Sequence, residues 1–214
     1  FVYTMKNRKD NYKIPENIIL DYNFGYFLGA YAAEGCMTKN QISISNNNVN
    51  YLRPIEEICL RFNVNYKIYK HENKNKKNWT SQDIRIYNTV LCNLVEKMIG
   101  KFSQNKFVHE NIIFSNKQCL RGFLDAYICG DGTIHRRKQN NKYKYESMSI
   151  TSTSLNLVTD VSIILKNMNI LSNIYKFKKP IKNNRNSQNI QQPYQLYINN
   201  EQCIKIAEIL NLKD

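Results

Sequence analysis

The sequence predicts an α+β fold built from two pseudo-symmetric αββαββα repeats. Three observations predict it. A helical pattern with a small residue at every fourth position occurs twice, at Gly25, Gly29 and Ala33 and again at Gly122, Ala126 and Gly130. Each pattern ends in an acid followed by glycine, Glu34-Gly35 and Asp131-Gly132. The stretch downstream of each acid also repeats: Ile44 falls on Ile150, 106 residues on, and the same step lays Ile68-Tyr69-Lys70 on the identical triplet Ile174-Tyr175-Lys176. An internal repeat of this kind implies a monomer with an internal pseudo-twofold axis.

Residues 1–20 are a basic, mixed lead-in, read as an arm along a phosphate backbone. The first repeat covers 21–100. Asp21 or Asn23 can cap its first helix, which runs to about Glu34. On a helix, positions i, i+4 and i+8 share one face. A stripe of Gly and Ala there lets two backbones approach toward or below the usual ~8–10 Å spacing. Each Gly costs about 1 kcal/mol in a helix interior relative to Ala, so the stripe serves packing and not local stability. Two such helices packed stripe to stripe bring Glu34 and Asp131 together at one end.

Gln41–Ser45 then alternates as a strand, after a tight hairpin at Lys39-Asn40. Leu52, Ile55, Ile58, Cys59 and Phe62 lie at helical spacing, with Pro54 expected in that helix's first turn. Tyr66–Lys70 and Asp83–Tyr87 alternate as strands on either side of a Lys- and Asn-rich loop. Leu91, Leu94, Val95 and Met98 mark an amphipathic helix that Gly100 ends.

Residues 101–115 show no periodicity and read as a connector. The second repeat, 116–214, opens with a helix for which Ser115 is the expected N-cap. It has a longer hairpin after its acid, the basic stretch from His135-Arg136-Arg137-Lys138 to Tyr145. Val161 and Ile164 then stand in the places of Ile55 and Ile58, and Cys203, Glu208 and Leu210 in those of Leu91, Glu96 and Met98.

Lys and Arg number 31 against 17 Asp and Glu, a net charge of +14. That balance points to a polyanion such as nucleic acid. Abundant Asn, Lys, Ile and Tyr are also what AT-rich codons supply, so charge by itself does not decide the partner. The six cysteines include no C-x-x-C pair. They read as buried free thiols in a reducing, intracellular compartment. The three histidines are scattered, without zinc-ligand spacing. No apolar run approaches the ~20 residues of a membrane span, and no signal peptide is visible. Phe1 is not an initiator, which suggests a chain processed or excised from something longer.

Phe27-Leu28-Gly29-Ala30-Tyr31-Ala32-Ala33-Glu34-Gly35 and Leu124-Asp125-Ala126-Tyr127-Ile128-Cys129-Gly130-Asp131-Gly132 resemble the paired signature motifs of LAGLIDADG homing endonucleases. The second copy can also be read one helical turn early, with Asp125 as the acid. Asp131 is preferred, because only that register aligns the two stripes and places Gly after the acid. The resemblance implies a saddle of antiparallel sheet over DNA, with the two motif helices packed at its centre. It implies double-strand cleavage across the minor groove, leaving staggered ends. It further implies that the backbone carbonyls of Ala33 and Gly130 join Glu34 and Asp131 in binding metal.

Phosphodiester hydrolysis needs an activated water and stabilisation of charge on the attacking and leaving oxygens, which carboxylate-held divalent ions supply. Two carboxylates forced together repel unless a cation lies between them, which makes Glu34 and Asp131 the candidate catalytic acids and metal ligands. Mg²⁺ or Mn²⁺ is the expected cofactor, with Ca²⁺ as a non-cleaving substitute. A negative charge at a helix C-terminus is unfavourable to the helix dipole, so two acids placed there by accident is the weaker account.

Base recognition is expected from strand positions in the major groove, which admits a two-stranded ribbon. The candidates are Gln41, Ser43, Ser45, Lys67, Tyr69, Arg85, Arg136, Arg137, Lys138, Tyr143, Ser147, Ser149, Tyr175, Gln195 and Tyr197. Lys70, Lys176 and Arg85 are candidates for phosphate contact or catalytic assistance. The loops around Lys74–Lys77 and Lys178–Lys182 are candidates for phosphate contacts alone. The halves differ in sequence, so an asymmetric duplex target is expected. Two alternatives share the scaffold, an RNA-binding maturase acting on a host intron and a catalytically silent DNA-binding regulator. The chain neither begins with Cys or Ser nor ends with His-Asn, so it is not expected to splice itself, though it can be the endonuclease portion of an intein.

Overall fold

The computed structural model describes residues 14–72, 80–139, 142–178, 180–182 and 190–211. The first half comprises α1 (Tyr22–Glu34), β1 (Gly35–Met37), β2 (Gln41–Asn46), α2 (Val49–Arg61), β3 (Asn65–Glu72), β4 (Thr80–Tyr87) and α3 (Thr89–Ile99). A 3₁₀ turn at Ser103–Asn105 and the short α4 (Glu110–Ile113) lie in the link. The second half comprises α5 (Lys117–Asp131), β5 (Gly132–Gln139), β6 (Lys142–Ser152), α6 (Leu155–Asn167), β7 (Asn173–Lys176), β8 (Ile181–Lys182), β9 (Ile190–Gln191), β10 (Tyr194–Asn199) and α7 (Asn200–Leu210). Each half forms a four-stranded antiparallel sheet, ordered β1-β2-β4-β3 and β5-β6-β10-β7. The fold is therefore the expected α+β double repeat. The β8–β9 ribbon is an addition that the repeat did not predict.

α1 and α5 pack along their small-residue stripes. A Cβ placed on Gly25 would lie 2.0 Å from the carbonyl oxygen of Cys119, one on Gly29 2.1 Å from that of Phe123, and one on Gly122 2.0 Å from that of Tyr22. No side chain fits such gaps, so the two backbones touch. Large residues pack around the seam: Phe24, Phe27, Leu28, Tyr31, Phe123, Leu124, Tyr127 and Ile128 are buried. Each sheet turns one alternating face to the helices, with Ile42, Ile44, Ile84 and Ile86 buried from the first and Met148, Ile150, Leu196 and Ile198 from the second.

Several local expectations change. α1 is capped by Asp21, whose Oδ1 accepts from Phe24 N at 2.9 Å. α2 starts early because Asn48 caps it and Tyr51 and Leu52 are buried. Pro54 therefore sits in the second turn, where the amide bond to the Asn50 carbonyl is lost. α5 is capped by Asn116 and not by Ser115: Asn116 Oδ1 accepts from Gln118 N and Cys119 N, while Ser115 Oγ donates to Ile112 O at 2.7 Å. Gly35 and Gly132 make no left-handed turn, since their φ values are −87° and −80°. They are glycine because the chain passes straight from helix to strand, and a Cβ would meet Tyr31 O at 2.5 Å or Ile128 O at 2.3 Å.

The link between the halves is packed, with Val108, Ile112 and Ile113 buried. Most of the N-terminal arm, residues 1–13, lies outside the described residues, as does the loop 73–79 with its lysines. No described helix is long and apolar enough to cross a membrane.

Candidate active site and nucleic-acid face

Glu34 closes α1 and Asp131 closes α5, and the contact of those helices brings both acids to one place. At this end the helices meet at Gly130. A Cβ there would lie 2.6 Å from Ala33 Cβ and 3.3 Å from Glu34 Cγ. The Glu34 side chain thus lies against the backbone immediately before Asp131. Desolvation raises the Glu34 carboxyl above its usual range, and the Lys106 charge opposes this. Asp131 is pushed up to about 7, first by desolvation and then by the charge of Glu34, with Lys106 again opposing. Both acids keep exposed surface, so crowding by protein, and not closure from water, causes the desolvation. Repulsion acts on both carboxyls, and the proton it retains belongs to the pair, with the more crowded Asp131 as its main holder.

Lys106, in the connector, is the residue that sequence reading missed. Its side chain is only 6% exposed. Its Nζ donates to the carbonyls of Tyr31 at 2.8 Å, Ala32 at 2.9 Å and Gly35 at 2.9 Å. A buried ammonium there draws together carbonyls at the end of α1, where the Tyr31 oxygen also accepts from Gly35 N, and complements the helix dipole. Burial lowers its pKa to about 8, while Asp131, Cys36 and Glu34 pull it up. The second half holds Lys106 in place: Ser154 Oγ donates to Lys106 O at 2.5 Å, and Val108 N donates to Asp160 Oδ2 at 2.8 Å. No periodic signal surrounds Lys106 in the sequence, so only the fold reveals it.

α5 is held differently. Tyr51, from α2, donates its hydroxyl to Ala126 O at 3.0 Å. Asp125, the alternative acid, sits within α5 and not at its end, and accepts from the Tyr22 hydroxyl and from Cys129 Sγ at 3.6 Å. It is a satisfied helix residue.

The register of the first sheet aligns Ser43 with Arg85 and Lys67, and Ser45 with Asp83 and Tyr69. Gln41, Ser43, Ser45, Lys67, Tyr69 and Arg85 therefore share the face opposite the helices. Lys70 does not: it alternates with Tyr69 onto the side of Ile68. In the second sheet Ser149 aligns with Thr133 and Tyr197, and Gln195 with Tyr175. Ser147, Ser149, Tyr175, Gln195 and Tyr197 share its open face, with the two serines buried beneath their neighbours. Lys176 pairs with Tyr194 on the helix side. A bulge follows His135, and Arg136 and Arg137 point to opposite faces. Arg136 turns toward α7, where its charge lowers the pKa of the Cys203 thiol against the effect of burial, whereas Arg137 stays exposed on the open side. Lys138 and Tyr143 are register partners near the hairpin tip, and their side chains lie outside the described ones.

The donor set suits a hard divalent cation. Two carboxylates with nearby backbone carbonyls leave room for water and phosphate oxygens, as Mg²⁺ prefers. Among the described residues no group of three or more His, Cys, Asp or Glu offers a softer cage.

Two packed repeats, each delivering a carboxylate from a glycine-striped helix, define a class of protein. Residues 21–109 and 118–211 both match the LAGLIDADG-like domain, and the chain belongs to that family. It is 35% identical over 159 residues to the DNA-directed RNA polymerase subunit Rpo1C of Methanocaldococcus jannaschii, covering 74% of this chain and 17% of that protein. It is 28% identical over 130 residues to a DNA polymerase of Thermococcus aggregans, covering 56% of this chain and 6% of that one. The chain thus spans a small part of the curated relatives it matches. Among solved structures, the homing endonuclease I-DmoI in complex with DNA and Mn has a TM-score of 0.59 at 16% identity, covering 92% of this chain and 99% of that one. WhiA from Thermatoga maritima has a TM-score of 0.57 at 14% identity, covering 94% of this chain and 59% of that one. These likenesses establish a shared fold.

Proposed function

We propose that the chain is a site-specific double-strand DNA endonuclease that hydrolyses phosphodiesters at a long, asymmetric target with the help of divalent metal. The observation that carries the reading is the meeting of Glu34 and Asp131 at the ends of two helices in backbone contact. Glu34 and Asp131, with the carbonyls of Ala33 and Gly130, would hold Mg²⁺ or Mn²⁺. When bound, such ions activate water and neutralise charge on the attacked phosphate and the leaving oxygen. Each carboxylate must be ionised to bind, so the proton kept by the pair leaves as the site fills. Lys106 holds the carbonyls on either side of Ala33 and Glu34, which fixes the direction in which both present their oxygens. The open sheet faces supply the duplex contacts. A neighbour of like fold bound to DNA and Mn supports the same partner and ion here.

We further infer that the chain is of the intein type, carried within a larger polypeptide. Support comes from the matched relatives, an RNA polymerase subunit and a DNA polymerase, each matched over a small fraction of its length.

The test is cleavage of a plasmid library carrying randomised inserts, in Mg²⁺. The expected result is linear product from a defined subset of inserts, lost in Glu34→Gln while duplex binding persists. Absence of cleavage by the wild type under these conditions, with tight binding to a structured intron RNA, would replace the nuclease with the maturase.

A further inference from the structure

Given that reading of the sheet faces as a duplex-binding surface, we propose that Arg85 and Asp83 together read one G·C pair in the major groove of the half-target under the first sheet. They stand two residues apart on β4, on the open face. Arg85 Nη2 lies 3.4 Å from Asp83 Oδ2. Its guanidinium carbon sits 4.3 Å from the centroid of the Tyr69 ring. The Tyr69 hydroxyl is in turn 3.3 Å from that of Tyr87. Asp83 is fixed from the other side by His71 Nε2 at 2.9 Å and by Ser45. A stacked, tethered guanidinium loses little freedom on binding, which suits a fixed bidentate contact.

The carboxylate decides what that contact can be. A phosphate drawn to Arg85 would also meet the negative charge of Asp83, whereas a base edge carries none. In a G·C pair the major-groove edge runs from guanine N7 and O6, both acceptors, to the cytosine N4 amino donor. The guanidinium matches the first two and the carboxylate matches the third. An A·T pair sets the adenine N6 donor against the guanidinium donors and offers the carboxylate no donor at the thymine edge. Asp83 therefore serves recognition by excluding phosphate and the wrong pair. On the second sheet Ser149, Tyr175, Gln195 and Tyr197 take the corresponding ground.

The experiment selects duplexes from a randomised pool by binding in Ca²⁺, using the wild type, Arg85→Lys, Asp83→Asn and Tyr69→Leu. Circular dichroism confirms that each variant folds, and any one that does not leaves the other arms decisive. The wild type is expected to prefer G·C at one position by about tenfold or more. Arg85→Lys should erase the preference at that position alone. Asp83→Asn should broaden it and raise affinity for duplexes lacking the pair, and Tyr69→Leu should blur the same position. If Arg85→Lys instead weakens all duplexes alike and lowers the salt slope by about one, Arg85 is a phosphate contact and the proposal is overturned. Unchanged preference at every position also overturns it. A wild type that binds no duplex would overturn the nuclease reading itself, and this inference with it.

Discussion

The two halves share a backbone plan but hold the acid-bearing ends of α1 and α5 with different chemistry. The end of α1 is gripped by a buried ammonium, Lys106, through three carbonyls. Its counterpart α5 is held by a neutral hydroxyl, Tyr51, through one carbonyl a turn and more from the acid. Both anchors cross the pseudo-twofold seam or depend on it: Tyr51 comes from the first half to serve the second, and Lys106 is tied down by Ser154 and Asp160 of the second to serve the first. The sheets differ in the same way. The first presents a network of Lys67, Tyr69, His71, Asp83 and Arg85, while the second presents serines, Gln195 and the Tyr175–Tyr197 pair, whose rings lie 6.2 Å apart. Symmetry here constrains helix contact and strand order, because those need matched shapes. Side chains on the open sheet faces, or that bind a helix end, need only local partners, and they differ between the halves.

That contrast can be broken most directly at the acids. Glu34→Gln and Asp131→Asn are each expected to lower double-strand cleavage by at least about 100-fold, because ligand loss exceeds the 10–100-fold cost of losing an outer-shell partner. Strand-resolved nicking assays then ask whether the halves are equivalent. Unequal residual nicking of the two strands is expected, and identical patterns would make the halves functionally interchangeable.

The anchors come next. Lys106→Met removes a charged donor from three carbonyls, of which Tyr31 O keeps its bond from Gly35 N, and is expected to cost about 2–3 kcal/mol, against about 1 kcal/mol for Tyr51→Phe. Urea midpoints measure both. Equal losses would mean that the ammonium and the hydroxyl do the same job.

The stripe should treat both halves alike. Alanine favours a helix over glycine by about 1 kcal/mol, yet Gly29→Ala and Gly122→Ala each push a methyl into the partner backbone. Overpacking of about 1–3 kcal/mol or more is expected to win, lowering stability from either side of the seam. A stabilising Gly122→Ala would show that the helices are not in contact.

The smallest effect is on pH. Asp131 is raised when folded, so its contribution to stability is full below its unfolded value of 3.8 and is lost as pH rises through about 7. Lys106 is lowered when folded, so its contribution is full above 10.5 and is lost as pH falls through about 8. From these two groups, metal-free protein should weaken between about pH 4 and 7 and recover above about pH 8. Asp131→Asn should flatten the first limb and, by removing a charge that holds the Lys106 proton on, carry the second to lower pH. A first limb that persists in that variant would belong to other carboxyls.

Much of the site was legible in the chain itself. The stripes, the two acids and the sharing of one face by Ser43, Ser45, Lys67, Tyr69 and Arg85 are periodicities carried by neighbouring residues. Lys70 and Lys176 were expected to contact phosphate or assist catalysis, but the register sets them on the side of Ile68 and Ile174, away from the open face. Arg136 and Arg137 were both expected on the open face, but β5 alternates without interruption past His135, so Arg136 follows Ile134 to the helix side and only Arg137 faces outward.

By itself, then, the sequence determined the repeat, the helix contact and the identity of the paired acids, because helix and strand periods are local and survive in a linear string. Only the tertiary structure decided that Lys106 caps α1, that Tyr51 reaches α5, and that Asp83 tethers Arg85 over Tyr69. The first two join residues 75 apart along the chain, and nothing in the spacing of such residues records that they will meet. Where the partner is distant, burial and register choose it, and those exist only once the chain has folded.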